Sequence, residues 1–312
     1  MRAHVLRGAA ALLLLAAGCG GMEGRSPDES DESIEHGNPH PLSMDAAAKA
    51  RGGKLKYYGG PVLEHPKVVA VLWGDVDAQV AAHAGDFYGA LLASSAFSWL
   101  SEYDTNIAAV DGSAGTGQHI GRGNFDKAVR ISPSAHGAAL TDAKIEKELA
   151  AQIKKHTLPA PDANTVYMVH FAPGISIQMG GSNSCESGGF CGYHSAFKIK
   201  GKRVAYAVLP DMGPGSGCDV GCGSGSAFDR VTSVASHELT EATTDPEVGL
   251  ASNLAAPLAW YDSSDGEIGD LCAGKNGRVR AGGVSYVVQK EWSNAAKACV
   301  VGRAKSGEEE GG

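Results

Sequence analysis

The stretch KVVAVLWG, Lys67 to Gly74, is an uninterrupted apolar run rich in β-branched residues, which predicts a strand covered on both faces. From Asp86, DFYGALLASSAFSWLSEY spaces Phe87, Leu91, Leu92, Phe97 and Leu100 as one face of an amphipathic helix. A glycine-broken stretch, VDGSAGTGQHIGRG, separates that helix from a strand near KAVRIS. Behind Thr141, a good N-cap, Ile145, Leu149 and Ile153 recur every four residues and predict a second helix. NTVYMVHFAP and RVAYAVLPD predict two more central strands, with SCESGGFCGYH between them as a loop. A second glycine- and cysteine-bearing loop, GPGSGCDVGCGSGS, opens into a helix through SVASHELTEATTDP. This order predicts an α/β (α+β) fold: a mixed central sheet flanked by helices, in one domain from about residue 55 to 303. The glycine stretches lack the Lys-Ser/Thr ending of a phosphate loop.

The chain ends change the picture from fold to location. Arg2 and Arg7 flank a short apolar run, AAALLLLAAG, that ends before Cys19, the layout of a secretory signal over residues 1–18. LAAGC resembles a bacterial lipobox, although Ala16 stands where leucine is usual, and this predicts lipidation of Cys19. Gly20 after that cysteine implies, by resemblance to lipoprotein sorting, an outer-membrane destination. Residues 19–54 are acidic, Pro- and Ser-containing and poor in large apolar groups, which predicts a disordered tether in which His36 and His40 are solvated. Residues 304–312 read as a second acidic, disordered tail. The expected location is the bacterial cell envelope, lipid-anchored at the outer membrane or cell surface, or secreted. The net charge of −8 has no dense basic patch, which excludes nucleic acid as a partner and leaves the lipid anchor as the contact with membrane.

Beyond Cys19 there are six cysteines, Cys185, Cys191, Cys218, Cys222, Cys272 and Cys299, an even number in an exported chain, which predicts disulfides. Sequence alone does not choose among fifteen pairings. The nearest-neighbour scheme joins Cys185 to Cys191, Cys218 to Cys222 and Cys272 to Cys299, stapling the glycine-rich loops; a four-cysteine zinc site is the rival.

Candidate chemistry centres on SHELTEATTDP. Val231, Ala235, Leu239 and Ala242 share one arc of the helix, while His237 and Glu241 lie one turn apart on another side, with Glu238 beside them. In the zincin pattern His-Glu-x-x-His, two histidines bind zinc and the glutamate activates water. Here the second histidine position is Glu241, and a carboxylate is also a zinc ligand. The expected metal ligands are therefore His237 and Glu241, with Glu267 from WYDSSDGEIGDLC as the third and Asp245 as the next choice. Asp270 is expected to orient His237 from behind, and His194 and His170 are reserve ligands. Glu238 would be the general base of a zinc-dependent hydrolase acting on peptides. The competing reading is an ordinary helix with its acids on the wet side. Another divalent cation, calcium among them, also suits so many acids, with DSSDGE a loose match to a calcium loop.

YYGGPVLEHPKVVAVLWG, FCGYHS, YAVLPD, GCDVGCG and AWYDSSDGEIGDLC together resemble the phosphate-induced, EXORDIUM-like family of exported proteins, over most of residues 57 to 300. That resemblance implies an exported, disulfide-stapled domain linked to growth and the cell surface, and supplies no biochemical activity. It carries the alternative reading: a non-catalytic protein that binds a cell-surface or cell-wall polymer. Separately, the order of strand, helix, strands and a His-Glu helix resembles the zincin-like layout.

Overall fold

The computed structural model describes residues 34–38, 40–43 and 53–302. Cys19, the signal segment and the tail 304–312 lie outside the described residues. In chain order the elements that matter here are β1 (Ile34–Glu35), β2 (His40–Ser43), β3 (Lys67–Trp73), α1 (Ala78–Ala93), β4 (Asn124–Ile131), α2 (Asp142–Lys154), β5 (Thr165–Phe171), β6 (Phe190–Ile199), β7 (Lys202–Leu209), α3 (Ala227–Thr244), β8 (Asn276–Ala281) and β9 (Val284–Gln289).

The expected mixed central sheet is present. It runs β1-β6-β7-β5-β3-β4, with β2 also paired to β6. β7, β5, β3 and β4 are parallel to one another, and β6 turns back antiparallel to β7. Because side chains alternate along a strand, the sheet feeds two cores. Val68, Ala70, Met168, Ala205 and Ala207 pack beneath α1 and α3, while Val69, Val71, Tyr167, Val169 and Tyr206 pack with Ile145 and Leu149 of α2. The continuous apolar runs of β3 and β5 are thereby explained: both of their faces are covered.

Several boundaries differ from expectation. The first helix begins at Ala78, where Asp77 accepts amides from Gln79 and Val80, and it stops at Ala93. Ser94 then breaks the path and caps a short turn of its own, so the apolar spacing through Phe97 and Leu100 belongs to two further short pieces. Thr141 occupies the N-cap position of α2, but its side chain makes no capping bond. The segment expected as a loop around FCGYH is the ten-residue strand β6, paired to β7 from Tyr193 to Ile199. The glycines of the preceding SGGF turn hid its start.

Part of the expected tether is also ordered. β1 and β2 extend along the free side of β6, and His36, expected to be solvated, pairs through Nδ1 with the buried carboxylate of Glu146. All six cysteines of the domain are bridged, as Cys185–Cys218, Cys191–Cys222 and Cys272–Cys299. Only the last pair follows the nearest-neighbour scheme. Cys218 and Cys222 sit one helical turn apart in the loop leading to α3, with the Cys222 amide donating to Cys218 O. Both sulfurs therefore face the neighbouring Cys185–Cys191 segment, and the two bridges hold the start of β6 and the turn before it against the entry to α3.

Candidate metal centre

α3 positions the site. Ser226 and Asp229 cap it reciprocally, the Ser226 side chain accepting the Asp229 amide and Asp229 accepting the Ser226 amide. The helix ends at Thr244, and every residue from Arg230 to Thr244 is buried. The acids are therefore not on a wet side. One arc meets the sheet, and the arc with His237 and Glu241 meets β6, the β8–β9 hairpin and the 261–272 segment.

His237 Nε2 lies 3.0 Å from Glu241 Oε2 and 3.9 Å from Glu238 Oε1. Glu267 arrives from the 261–272 segment, as expected, and both of its oxygens lie 3.0–3.1 Å from His194 Nε2. His194 Nε2 is also 3.8 Å from Glu241 Oε2. Two sets of donors thus have ligand atoms close enough to hold an ion, His237–Glu238–Glu241 and His194–Glu241–Glu267, and they share Glu241. Adjacent ligands about 2.0–2.1 Å from a tetrahedral zinc stand roughly 3.3 Å apart, so the spacings of 3.0 to 3.8 Å fit a transition-metal ion.

Three further observations point to a cation. His237 Nε2 and both oxygens of Glu238 are buried with no hydrogen-bond partner; leaving such a group unsatisfied costs about 1–3 kcal/mol each. Six carboxylates crowd the region: Glu238, Glu241, Asp245, Glu267, Asp270 and Glu291. Burial, then mutual repulsion, pushes Glu238 and Glu267 well above the usual carboxylate range. Burial raises Glu241 and Asp270 to about 7, and lowers His194 and His237 to about 4. The imidazoles are thus neutral near pH 7, the form that binds metal.

The supporting shell differs from expectation in two places. Asp270 does not orient His237; its Oδ2 accepts the Glu267 amide at 3.0 Å, holding the segment that delivers Glu267. Gln289 of β9 takes the place behind His237, its Nε2 2.7 Å from His237 Nδ1 and donating to Gly269 O at 2.9 Å. Asp245, the alternative ligand, belongs to neither donor set. It is the C-cap residue of α3, its amide donating to Glu241 O, and its Oδ1 accepts the Ala259 amide. His170 packs against Tyr88, 2.9 Å from its hydroxyl, away from the donors. Asp262 of DSSDGE accepts amides from Lys54, Ser264 and Asp265, so it closes a turn.

His194 and Gln289 are the residues sequence reasoning ranked low or missed. The period-two pattern of YHSAF carried a signal for His194. Nothing near Gln289 marked it, because its role depends on a hairpin docking 52 residues away from His237.

Glycine is required at two contacts. A Cβ on Gly192 would come 2.9 Å from Glu238 Oε1 and 2.8 Å from Val234 Cγ1, so β6 approaches α3 closely only without a side chain there. A Cβ on Gly269 would overlap the His237 ring and lie 2.9 Å from Glu241 Oε1. Gly269 has an ordinary negative φ of −81°, so replacement acts through crowding alone. Gly269→Ala is expected to weaken ion binding roughly 10- to 100-fold, the cost of disturbing a ligand's support, with a destabilisation of about 1–3 kcal/mol. Titration with cobalt and a thermal melt check both numbers.

No model of a known protein family matches the chain, and neither a curated protein nor a solved structure matches it.

Proposed function

We propose that the protein is an exported, lipid-anchored, metal-dependent hydrolase of the bacterial cell envelope, with peptides as substrates and zinc as its ion. The observation that carries this reading is the pair of unpartnered oxygens on Glu238, a member of one of the two donor sets that share Glu241. His237, His194, Glu241 and Glu267 would hold the ion, which supplies Lewis acidity towards a carbonyl and a water of lowered pKa. Glu238 would be the base: its buried carboxylate has no hydrogen bond to give up and, ionised beside a bound cation, would take a proton from water and pass it to a leaving amine. Gln289 and the amides of Gly269 and Asp270 hold His237 and Glu241 in place. The disulfides and the resemblance to the EXORDIUM-like family support export.

The sealed donors support a second reading, in which a held ion staples a non-catalytic surface protein that binds a cell-wall polymer. Glu238→Gln separates the two. Under the hydrolase reading it retains the ion and loses peptide hydrolysis by roughly 100-fold or more, the scale of general-base contributions. Undiminished turnover in that variant removes Glu238 as base, and no turnover of any peptide by the ion-loaded wild type favours the second reading.

A further inference from the structure

We propose that the centre takes a second divalent ion, with Glu241 Oε2 bridging one ion on His237 and Glu238 and another on His194 and Glu267. The two-ion site stands on the geometry of the donors. Its consequence for activity, that the doubly loaded protein is the silent form, rests on the hydrolase reading above.

The donors fall into two groups. A single ion bound at 2.0–2.1 Å keeps its ligand atoms within about 4.2 Å of one another. Among the described residues, no set with its ligand atoms inside 4.8 Å contains both imidazoles. Each imidazole instead neighbours Glu241 Oε2, His237 Nε2 at 3.0 Å and His194 Nε2 at 3.8 Å. Each also has a carboxylate of its own: Glu238 Oε1 is 3.9 Å from His237 Nε2, and the Glu267 oxygens are 3.0–3.1 Å from His194 Nε2. For one ion to take all four donors of the hydrolase reading, the imidazoles must draw together around it. Two ions are held with the donors where they stand.

Glu241 is arranged to bridge. Its Oε1 is spent on the amides of Gly269 and Asp270, which leaves Oε2 to the imidazoles. A carboxylate oxygen carries two lone pairs, one for each ion. The His237 side also asks for a positive partner. His237 Nε2 and both Glu238 oxygens are buried with no hydrogen-bond partner, and neither side chain has any exposure. Glu238, Glu241 and Glu267 are all buried, and one divalent ion offsets only two of these three charges. A second cation supplies both the missing partner and the missing charge, whereas a buried water would supply the partner alone.

The second ion changes what Glu238 can do. Without it, the Glu238 carboxylate is free to accept a proton. With it, the carboxylate is tied to a cation, and its affinity for a proton falls. The same side chain is thus base at low metal and ligand at high metal, and the free metal concentration sets the active fraction.

The test titrates ion-free protein with zinc in a metal buffer and counts bound ion per chain by elemental analysis. The count should rise to one and then, at free zinc at least tenfold higher, to two. Glu238→Gln, equal in size but uncharged, should stop at one. X-ray absorption of wild type loaded with two equivalents of cobalt should show a metal–metal distance of about 3.5–4 Å, a reading that needs no variant. Peptide hydrolysis on the titrated samples should peak at the first equivalent and drop at least tenfold at the second. Saturation at one ion per chain overturns the proposal, as does a second ion retained by Glu238→Gln or one that shows no such metal–metal distance. Activity that climbs through the second equivalent overturns the silent form. The two readings fail separately: two bridged ions with no hydrolysis at any loading remove the hydrolase and leave the pair standing, whereas hydrolysis with a single ion leaves the hydrolase and removes the pair.

Discussion

Glu241→Ala should leave the protein unable to retain a divalent ion through dialysis, with an affinity loss of more than about 100-fold, because even the loss of an outer partner of a metal ligand costs 10- to 100-fold. Glu241 is the donor common to both sets. Its two oxygens have separate tasks. Oε1 accepts the amides of Gly269 and Asp270, both at 3.1 Å, which fixes the carboxylate plane. Oε2 is left facing His237 Nε2 at 3.0 Å and His194 Nε2 at 3.8 Å. Truncation removes the shared donor and frees two amides that hold the 261–272 segment, so Glu267 is loosened as well. Glu291→Gln is the control. Both oxygens of Glu291 are also buried without a hydrogen-bond partner, but Glu291 belongs to neither donor set, so its loss should leave ion content unchanged. Elemental analysis of dialysed protein reads both. A Glu241→Ala protein carrying as much ion as wild type would falsify the centre.

The sequence announced His237, Glu238 and Glu241 because their meeting is local: one helical turn brings positions 237 and 241 together whatever surrounds them. Glu267 was also within reach of pattern reading, since a dense acidic segment trailing a His-Glu helix offers few other sources of a third donor. The environment of these groups was not legible. An amphipathic arc through Val231, Ala235 and Leu239 describes a helix at the surface, whereas α3 is buried among β6, β7 and β5 of the sheet, α1 and β9, with the Gly269 and Asp270 amides on Glu241. Burial by remote segments leaves no periodic trace in the helix itself.

The same limit explains His194 and Gln289. Each is placed by strand pairing or hairpin docking over 40 to 50 residues or more, which no local spacing reveals. The disulfides carry the lesson further. Spacing suggested neighbours, but Cys218 and Cys222 share a helical turn and both turn toward β6. For β1 and β2, composition predicted a disordered tether over residues 19–54, whereas the described residues 34–35 and 40–43 pair into the sheet. It could not show that a sheet edge would hold them through backbone pairing, which asks little of side chains, with His36 anchored on Glu146.

The second large effect concerns pH. In the ion-free protein Glu241 and Asp270 titrate near 7, well above their ordinary 4.5 and 3.8, and Glu238, Glu267, Asp245 and Glu291 are also raised. A carboxyl whose folded pKa is raised binds its proton more tightly in the native state, so its contribution favours folding at low pH and is lost as pH climbs through the folded value. His194 and His237, lowered to about 4, act oppositely: their contribution grows between about pH 4 and their ordinary 6.5, then stays constant. The two trends offset each other below pH 6.5. Above it only the acids remain, and each tenfold difference in proton affinity between the folded and unfolded chain is worth about 1.4 kcal/mol. The Tm of ion-free protein should therefore fall as pH rises from 6.5 to 8. An ion reverses the sign, because it binds carboxylates that have released their protons and imidazoles that are neutral. The Tm gained on adding zinc should accordingly widen across the same window, where at a concentration 100-fold above Kd the stabilisation is about 2.7 kcal/mol. Paired melts in chelator and in zinc from pH 5.5 to 8 measure the gap at each pH. Curves that run parallel throughout would mean that the buried acids and the ion do not compete for the same oxygens, and the centre would have to be placed elsewhere.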